Sequence, residues 1–183
     1  MTPGDFIDMN PLQIGSYYDW LATGDIHEGL IGRTSKDANT YYGQLAESWT
    51  VSADQLVWTF KIRDGIKWSD GTDFSVDDIV FTYQKYLDPE TVCDGATSMA
   101  TYLNATNVVA LNATHVQFTM NQFYSYQEGN FGLAILQEAQ MEGLTGPEWK
   151  TDPATNAAYA PKGTGPYMML ENETNIAEGH ATL

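Results

Sequence analysis

Residues 56–72 read LVWTFKIRDGIKWSDGT and contain the clearest structural pattern in this sequence. Four apolar residues alternate along the segment with residues that are mostly polar: Leu56, Trp58, Phe60 and Ile62. This period of two predicts a β-strand with one buried face. Turn signals at residues 52–55 and 64–65 flank the strand, and they predict an antiparallel meander with partner strands at residues 49–51 and 66–68.

Two helices are predicted by capping boxes. Ser75 and Asp78 form an S-x-x-D box, and apolar residues then recur at helical spacing before Pro89, which ends the run. A similar box begins at Ser16, and the apolar stripe that follows it continues to Leu30. We therefore expect one helix from Ser75 to position 87 and another that starts near Ser16.

The remaining periodic segments predict a mixed fold. Residues 108–111 and 116–120 have the pattern of a β-hairpin, and a helix is expected within residues 124–141. Residues 143–162 are rich in turn-forming residues and predict a loop. Strands and helices together favour a small antiparallel sheet with helices packed against it.

Charge and cysteine content exclude several classes of partner and site. The 183 residues include 24 acidic and 8 basic side chains, for a net charge of -16. Nucleic acids and anionic membranes bind clustered Lys and Arg, so we expect neither as a partner. Cys93 is the only cysteine, which excludes an internal disulfide. No apolar run approaches the roughly 18 residues of a membrane span, and we expect no signal sequence within these residues.

Acidic residues suggest one catalytic alternative. Asp70 with Asp73, or Asp77 with Asp78, could act as the paired carboxylates of a carbohydrate-active hydrolase. Acids at turns and at helix N-termini also accept hydrogen bonds from backbone amides, and this structural interpretation is favoured. The turn at 163–166 reads GTGP, in which the proline removes an amide donor, so it indicates a tight turn rather than a phosphate loop.

Histidines and tryptophans offer weaker evidence for a metal site or a ligand-binding surface. The three histidines are too far apart in sequence for a motif with metal-ligand spacing: His27, His115 and His180. No metal site or cofactor is therefore expected. Trp49, Trp58 and Trp68 could form a platform for a sugar or another ligand, but most of them are expected to lie in the core.

Several longer motifs follow one another in a specific order: NPL (10–12), YYDW (17–20), EGL (28–30), LAESW (45–49), WTFKIRDGIKWSDGT (58–72), the segment 74–89 and GTGPY (163–167). With them the chain resembles the family 5 extracellular solute-binding proteins, which include dipeptide-, oligopeptide- and nickel-binding components of ABC importers. His27 stands where the family usually has an aromatic residue. Residues 130–159 follow the family only loosely.

The resemblance implies that the chain is part of a longer, two-lobed protein. We expect a mixed α/β (α+β) fold that forms part of lobe I of a type II periplasmic-binding-protein-like fold. By the same resemblance, residues 1–45 belong to the ligand layer of lobe I and residues 46–162 form an inserted subdomain. Residues 163–183 would be a truncated segment that returns into lobe I.

The resemblance also implies a site and a function. Segments 14–18 and 98–102 would face the ligand, with four candidate binding residues: Tyr17, Tyr18, Met99 and Tyr102. The implied function is reversible binding of a small solute, with peptides as the leading class, and its delivery to the permease of an ABC transporter. Nickel chelates and oligosaccharides stay open as solutes.

The same resemblance implies a monomer without enzymatic activity, located outside the cell, in the periplasm or anchored at the cell surface. Two rival functions remain at this point. One is the carbohydrate-active hydrolytic domain, and the other is a purely structural or interaction subdomain.

Overall fold

The structure is a computed structural model that describes residues 11, 23–34, 36–37, 40–91, 93, 96–143 and 162–168. The strands form two antiparallel sheets. The first sheet pairs β1 (Ile31–Arg33) with β2 (Tyr41–Gly43). The second sheet has four strands in the order β3-β4-β6-β5, and these are β3 (Ala46–Val51), β4 (Val57–Ile62), β5 (Val108–Asn112) and β6 (His115–Thr119). The helices are α1 (Val76–Leu87), α2 (Ala96–Met99), α3 (Gln127–Asn130) and α4 (Glu138–Met141), and residues 23–26 are also helical. The predicted mixed fold with a small antiparallel sheet is confirmed.

Strand β4 is central in the four-stranded sheet and has the predicted alternation. Trp58, Phe60 and Ile62 are buried, whereas the residues between them are only partly buried. Phe60 lies opposite Trp49 of β3 on one side and opposite Val116 of β6 on the other. The apolar face of β4 is therefore continued by its neighbours on both sides.

The prediction that residues 66–68 form the third strand of the meander is wrong. The edge of β4 that it would occupy is paired with β6 over residues 115–119. Residues 66–68 instead lie between two turns, and a single bridge joins Lys67 to Asp73. The hairpin β5–β6 displaces them because its long-range pairing adds the buried Val116 and Phe118 to the same apolar face.

Helix α1 begins at the predicted cap. The Ser75 N–H donates to Asp78 Oδ2 (2.8 Å), and the Asp78 N–H donates to Ser75 Oγ (3.4 Å), so both halves of the capping box are formed. The helix ends before Pro89. Its inner face packs on the sheet, where the Tyr83 ring meets the edge of the Phe118 ring at 4.8 Å.

Aromatic rings fill the core beneath the sheet. The Phe60 ring is fully buried and lies 4.7 Å from Phe131 and 5.7 Å from Phe118, measured between centroids. Trp58 and Trp68 are also buried, which confirms their expected core position. Within the described ranges, no helix is long and apolar enough to cross a membrane.

Two helix predictions are only partly correct. Residues 124–141 contain the short helices α3 and α4, separated by a turn at residues 131–132 and an irregular stretch that follows it. The Leu30 N–H donates to the Phe131 carbonyl (2.8 Å), and the Ile135 N–H donates to the Glu28 carbonyl (3.0 Å). These groups bond to a distant segment instead of continuing the helix. The start near Ser16 lies outside the described residues, and the helical conformation does not reach Leu30, which directly precedes β1.

Candidate functional site

The candidate site is built around residues 28–31, which run beside residues 131–135, the segment that follows α3. The N–H groups of Leu30 and Ile31 both donate to the Phe131 carbonyl, at 2.8 and 3.2 Å. At Gly29 the two backbones touch, because a Cβ there would lie 2.7 Å from the carbonyl carbon of Gly132. Only glycine permits this close approach, and it fixes one wall of the site.

The GTGP turn at residues 163–166 fixes a second wall. The Gly165 N–H donates to the Ile26 carbonyl (2.7 Å), and the Gly163 carbonyl accepts from the Ser69 N–H (2.9 Å). A Cβ on Gly163 would lie 1.9 Å from the Ile26 carbonyl oxygen, so a side chain at this position would force the segments apart. The turn joins the WSDGT segment to the helical residues 23–26.

Two adjacent recesses open beside these segments. The smaller recess has a volume of about 440 Å³, and the residues that line it include Thr23, Asp25, His27, Arg33, Gln44 and Leu133. The larger recess has a volume of about 550 Å³, and the residues that line it include Glu28, Arg63, Ile66 and Pro166. Gly24, Tyr42 and Gln44 line both recesses. These volumes are typical of small-molecule sites, which span roughly 300 to 1,000 Å³.

His27 is the buried ionisable residue of the smaller recess. The residue is 4% exposed, and Nδ1 lies 3.2 Å from the Ile135 carbonyl oxygen. Nε2 has no hydrogen-bond partner among the residues that the structure describes. Burial lowers the pKa of His27 to about 4, against the opposing effect of the hydrogen bond to Ile135. The ring is therefore neutral at pH 7.

Glu28 and Arg63 give the larger recess one charge of each sign. Burial raises the pKa of the Glu28 carboxyl, whereas a hydrogen bond with the Thr164 side chain and the charge of Arg63 act in the opposite direction. The Arg63 guanidinium donates to the carbonyl groups of Gln44 (2.6 Å) and Gly43 (3.1 Å). Arg63 is thus held by the backbone of the β2–β3 turn, and its charge lies near Glu28.

These recesses and motifs belong to a sequence that matches a known family. Residues 40–177 match the bacterial extracellular solute-binding proteins, family 5, middle region. The chain belongs to this family. Its WSDGT and GTGPY segments are therefore family 5 segments, and the second of them forms a wall of the larger recess through Pro166.

Two curated relatives and one solved structure illustrate the similarity. The chain is 28% identical over 168 residues to the periplasmic murein peptide-binding protein MppA of Escherichia coli K12, which covers 82% of this chain and 29% of the relative. It is 26% identical over 180 residues to the glutathione-binding protein GsiB of the same strain, with 95% and 32% covered. The chain thus spans about a third of the length of the relatives that it matches.

The solved structure is the binding protein MoaA of Agrobacterium tumefaciens R10 in complex with mannopinic acid. The two folds superpose with a TM-score of 0.76 at 26% identity, over 96% of this chain and 34% of the other. Both TM-score and identity indicate the same fold. The predicted mixed fold of a family 5 binding protein is thereby supported.

Of the four predicted binding residues, the two that the structure describes do not line the recesses. Tyr17 and Tyr18 lie outside the described residues. Met99 and Tyr102 are buried in the core, 4% and 3% exposed, and neither lines either recess. The Tyr102 ring stacks on Tyr124 at 4.6 Å with an interplanar angle of 6°, and Tyr124 is exposed. The role of these four residues in a family 5 site remains a prediction.

Sequence reasoning missed the residues that do line the recesses. His27, Glu28, Gln44 and Arg63 come from three separate segments and share no motif spacing. One signal was available, because the resemblance noted from the sequence places His27 where family 5 proteins usually have an aromatic residue. A buried polar ring in place of an apolar one is informative only when its partners are known.

The acidic residues of the WSDGT region have structural roles, as favoured from the sequence. Asp70 accepts hydrogen bonds from the Thr72 N–H (2.9 Å) and hydroxyl (2.6 Å) and pairs with Lys162 (3.1 Å). These interactions, led by Thr72, hold the pKa of Asp70 well below its usual range. Asp78 accepts from the N–H groups of Ser75 (2.8 Å) and Glu138 (2.9 Å), one on each oxygen.

Proposed function

We propose that the full-length protein binds a peptide between two lobes and delivers it to the permease of an ABC importer. The observation that carries the proposal is the family 5 match over residues 40–177. Two curated relatives are named for a murein peptide and for glutathione, which is itself a tripeptide. Peptides are therefore the solute class that the relatives favour.

The arrangement of the chain in the whole protein is part of the same proposal. Residues 1–45 contribute to the ligand layer of the first lobe, residues 46–162 form its inserted subdomain, and residues 163–183 return into it. The two recesses then belong to the wall of a site that a second lobe completes on closure. A monomer outside the cytoplasmic membrane, with no nucleic-acid partner, suits such a carrier, and the MppA relative is a periplasmic protein.

Hydrolysis is the less favoured function because the acids are already engaged. A glycosidase needs one carboxyl whose pKa is raised and a second that is free to act as base or nucleophile. Burial raises the pKa of Glu138, which lies near Asp78, but both Asp78 oxygens accept backbone hydrogen bonds. Asp78 is therefore not free to act as base or nucleophile, and it joins α4 to the start of α1.

A second solute class is favoured by one specific observation. MoaA, which shares this fold at 26% identity, is described in complex with mannopinic acid. A solute that is not a peptide therefore belongs in any binding screen. The recesses, whose linings include charged side chains beside apolar surface, suit either class.

Isothermal titration calorimetry on the full-length protein tests the proposal. The panel contains dipeptides, tripeptides including glutathione, tetrapeptides and mannopinic acid, and mass spectrometry of the same samples reports any cleavage. We expect saturable binding of at least one peptide and no cleavage of any ligand. Binding of mannopinic acid alone would select the second class. Turnover that disappears in Asp78→Asn would overturn the assignment as a binding protein.

A further inference from the structure

The tip of the β5–β6 hairpin matches the acceptor sequence for N-glycosylation. Residues 112–114 read NAT, which fits the pattern Asn-x-Ser/Thr with a residue other than proline at the centre. Strand β5 ends at Asn112 and β6 begins at His115, so this tripeptide reverses the chain between the two strands. Asn112 and Ala113 are both exposed. The acceptor residue therefore lies on the surface, where a bulky glycan can be accommodated.

The Asn112 side chain is oriented by the third residue of the same tripeptide. Its Oδ1 accepts hydrogen bonds from the Thr114 N–H (2.9 Å) and from the Thr114 hydroxyl (3.0 Å). Because a backbone N–H can only donate, the atom that it meets must be the oxygen of the side-chain amide. Nδ2, the atom that carries an N-linked glycan, is therefore turned away from this N–H. It donates no hydrogen bond within the part of the chain that the structure describes.

The same tripeptide occurs a second time in a different environment. Residues 104–106 also read NAT, and Asn104 is exposed. Its Nδ2 donates to Asn121 Oδ1 (3.4 Å), which also accepts from Asn107 Nδ2 (3.0 Å). The acceptor nitrogen of this sequon is thus engaged by the fold. A third sequon begins at Asn172, which lies outside the described residues. Of the two described sequons, the structure favours the one at Asn112.

A glycan at Asn112 would also shield an exposed strand edge. Strand β5 is an outer strand of the four-stranded sheet. Its Val109 and Leu111 side chains are 40% and 49% exposed. Exposed apolar edge strands are places where chains pair and aggregate. A hydrophilic saccharide on the residue that follows Leu111 would hinder such pairing.

We propose that Asn112 carries an N-linked glycan. The donor is a saccharide joined through phosphate to a membrane lipid, and a transferase outside the cytoplasmic membrane catalyses the transfer. The Nδ2 lone pair bonds to the anomeric carbon while the bond from that carbon to the phosphate oxygen breaks. The lipid phosphate leaves with the bonding electron pair, and a base of the transferase takes one proton from Nδ2. The inference goes beyond solute binding but rests on the location given in the proposed function.

Mass spectrometry of the full-length protein, purified from its native cells, tests this inference. Trypsin leaves both NAT sequons in one peptide, because no Lys or Arg lies between Lys85 and Lys150. Electron-transfer fragmentation of that peptide therefore assigns the modified asparagine. We expect the mass of hexose or N-acetylhexosamine residues on Asn112.

Four variants produced in the same cells locate the acceptor, and thermal melts confirm that each is folded. Asn112→Gln removes the acceptor and Thr114→Val removes the sequon hydroxyl, so both should lose the glycan. Thr114→Ser keeps the hydroxyl and should retain it. Asn104→Gln is the matched control from the identical tripeptide, and it should keep the glycan on Asn112.

An unmodified Asn112 in the wild type, with or without a glycan on Asn104, would overturn the inference. Retention of the full glycan mass in Asn112→Gln would overturn it as well. Peptide binding by an unmodified wild-type protein in calorimetry would leave the proposed function intact. Recovery of the protein in the cytoplasmic fraction alone would instead overturn the proposed location together with the inference.

Discussion

Replacement of Phe60 by alanine tests the core that holds the candidate site together. The ring is fully buried and contacts the rings of Phe131 and Phe118 at 4.7 and 5.7 Å. Trp58 and Trp49 lie 6.4 and 6.1 Å away. The substitution removes the buried apolar area of a phenylalanine and leaves a cavity that a rigid sheet cannot close. We expect a loss of about 3 to 5 kcal/mol in the free energy of unfolding.

Thr59→Ala is the matched control, because Thr59 is the preceding residue on the opposite face of β4. Its hydroxyl accepts one hydrogen bond from Gln117 Nε2 at 3.3 Å, so its removal should cost about 1 kcal/mol or less. Urea unfolding followed by tryptophan fluorescence measures both variants, since Trp49 and Trp58 lie next to the altered ring. Similar losses for Phe60→Ala and Thr59→Ala would refute the assignment of the buried face.

Three further predictions concern local features. Ser75→Ala removes the cap of α1 and should lower the free energy of unfolding by about 1 kcal/mol, measured by urea unfolding. Gly163→Ala should lower the melting temperature more than Ser75→Ala does, because its Cβ would meet the Ile26 carbonyl oxygen at 1.9 Å. The pKa of His27 is lowered from 6.5 to about 4 in the folded protein, so between pH 6.5 and pH 4 the unfolded state binds a proton that the folded state does not. The free energy of unfolding is therefore unaffected by this group above pH 6.5 and decreases as the pH falls toward 4. This loss, on the order of 3 kcal/mol, should be absent in His27→Asn when urea unfolding is compared at pH 7 and pH 4.

The structural elements that the sequence predicted correctly depend on local residue patterns. The alternation in β4 and the capping box at Ser75 depend on neighbours within a few positions, so both could be predicted and both are formed. The family resemblance depends on ordered motifs and is confirmed by the match over residues 40–177.

Long-range pairing accounts for what the sequence did not predict. The edge of β4 is taken by β6, more than fifty positions away, and no local signal distinguishes this partner from residues 66–68. The stretch after Phe131 has helical periodicity but pairs with residues 28–31. The recess residues lie at such junctions, so His27 and its unpaired nitrogen became visible only once residues 28–31 and 131–135 were placed side by side.

The most direct test of the central claim compares the isolated chain with the full-length protein. Calorimetry with the best-binding peptide should show micromolar or tighter binding by the full-length protein and no measurable binding by residues 1–183. A recess that forms one wall of a site forfeits the contacts of the other wall while the cost of association remains. Micromolar binding by residues 1–183 alone would contradict the account, because a complete site would then lie within this chain.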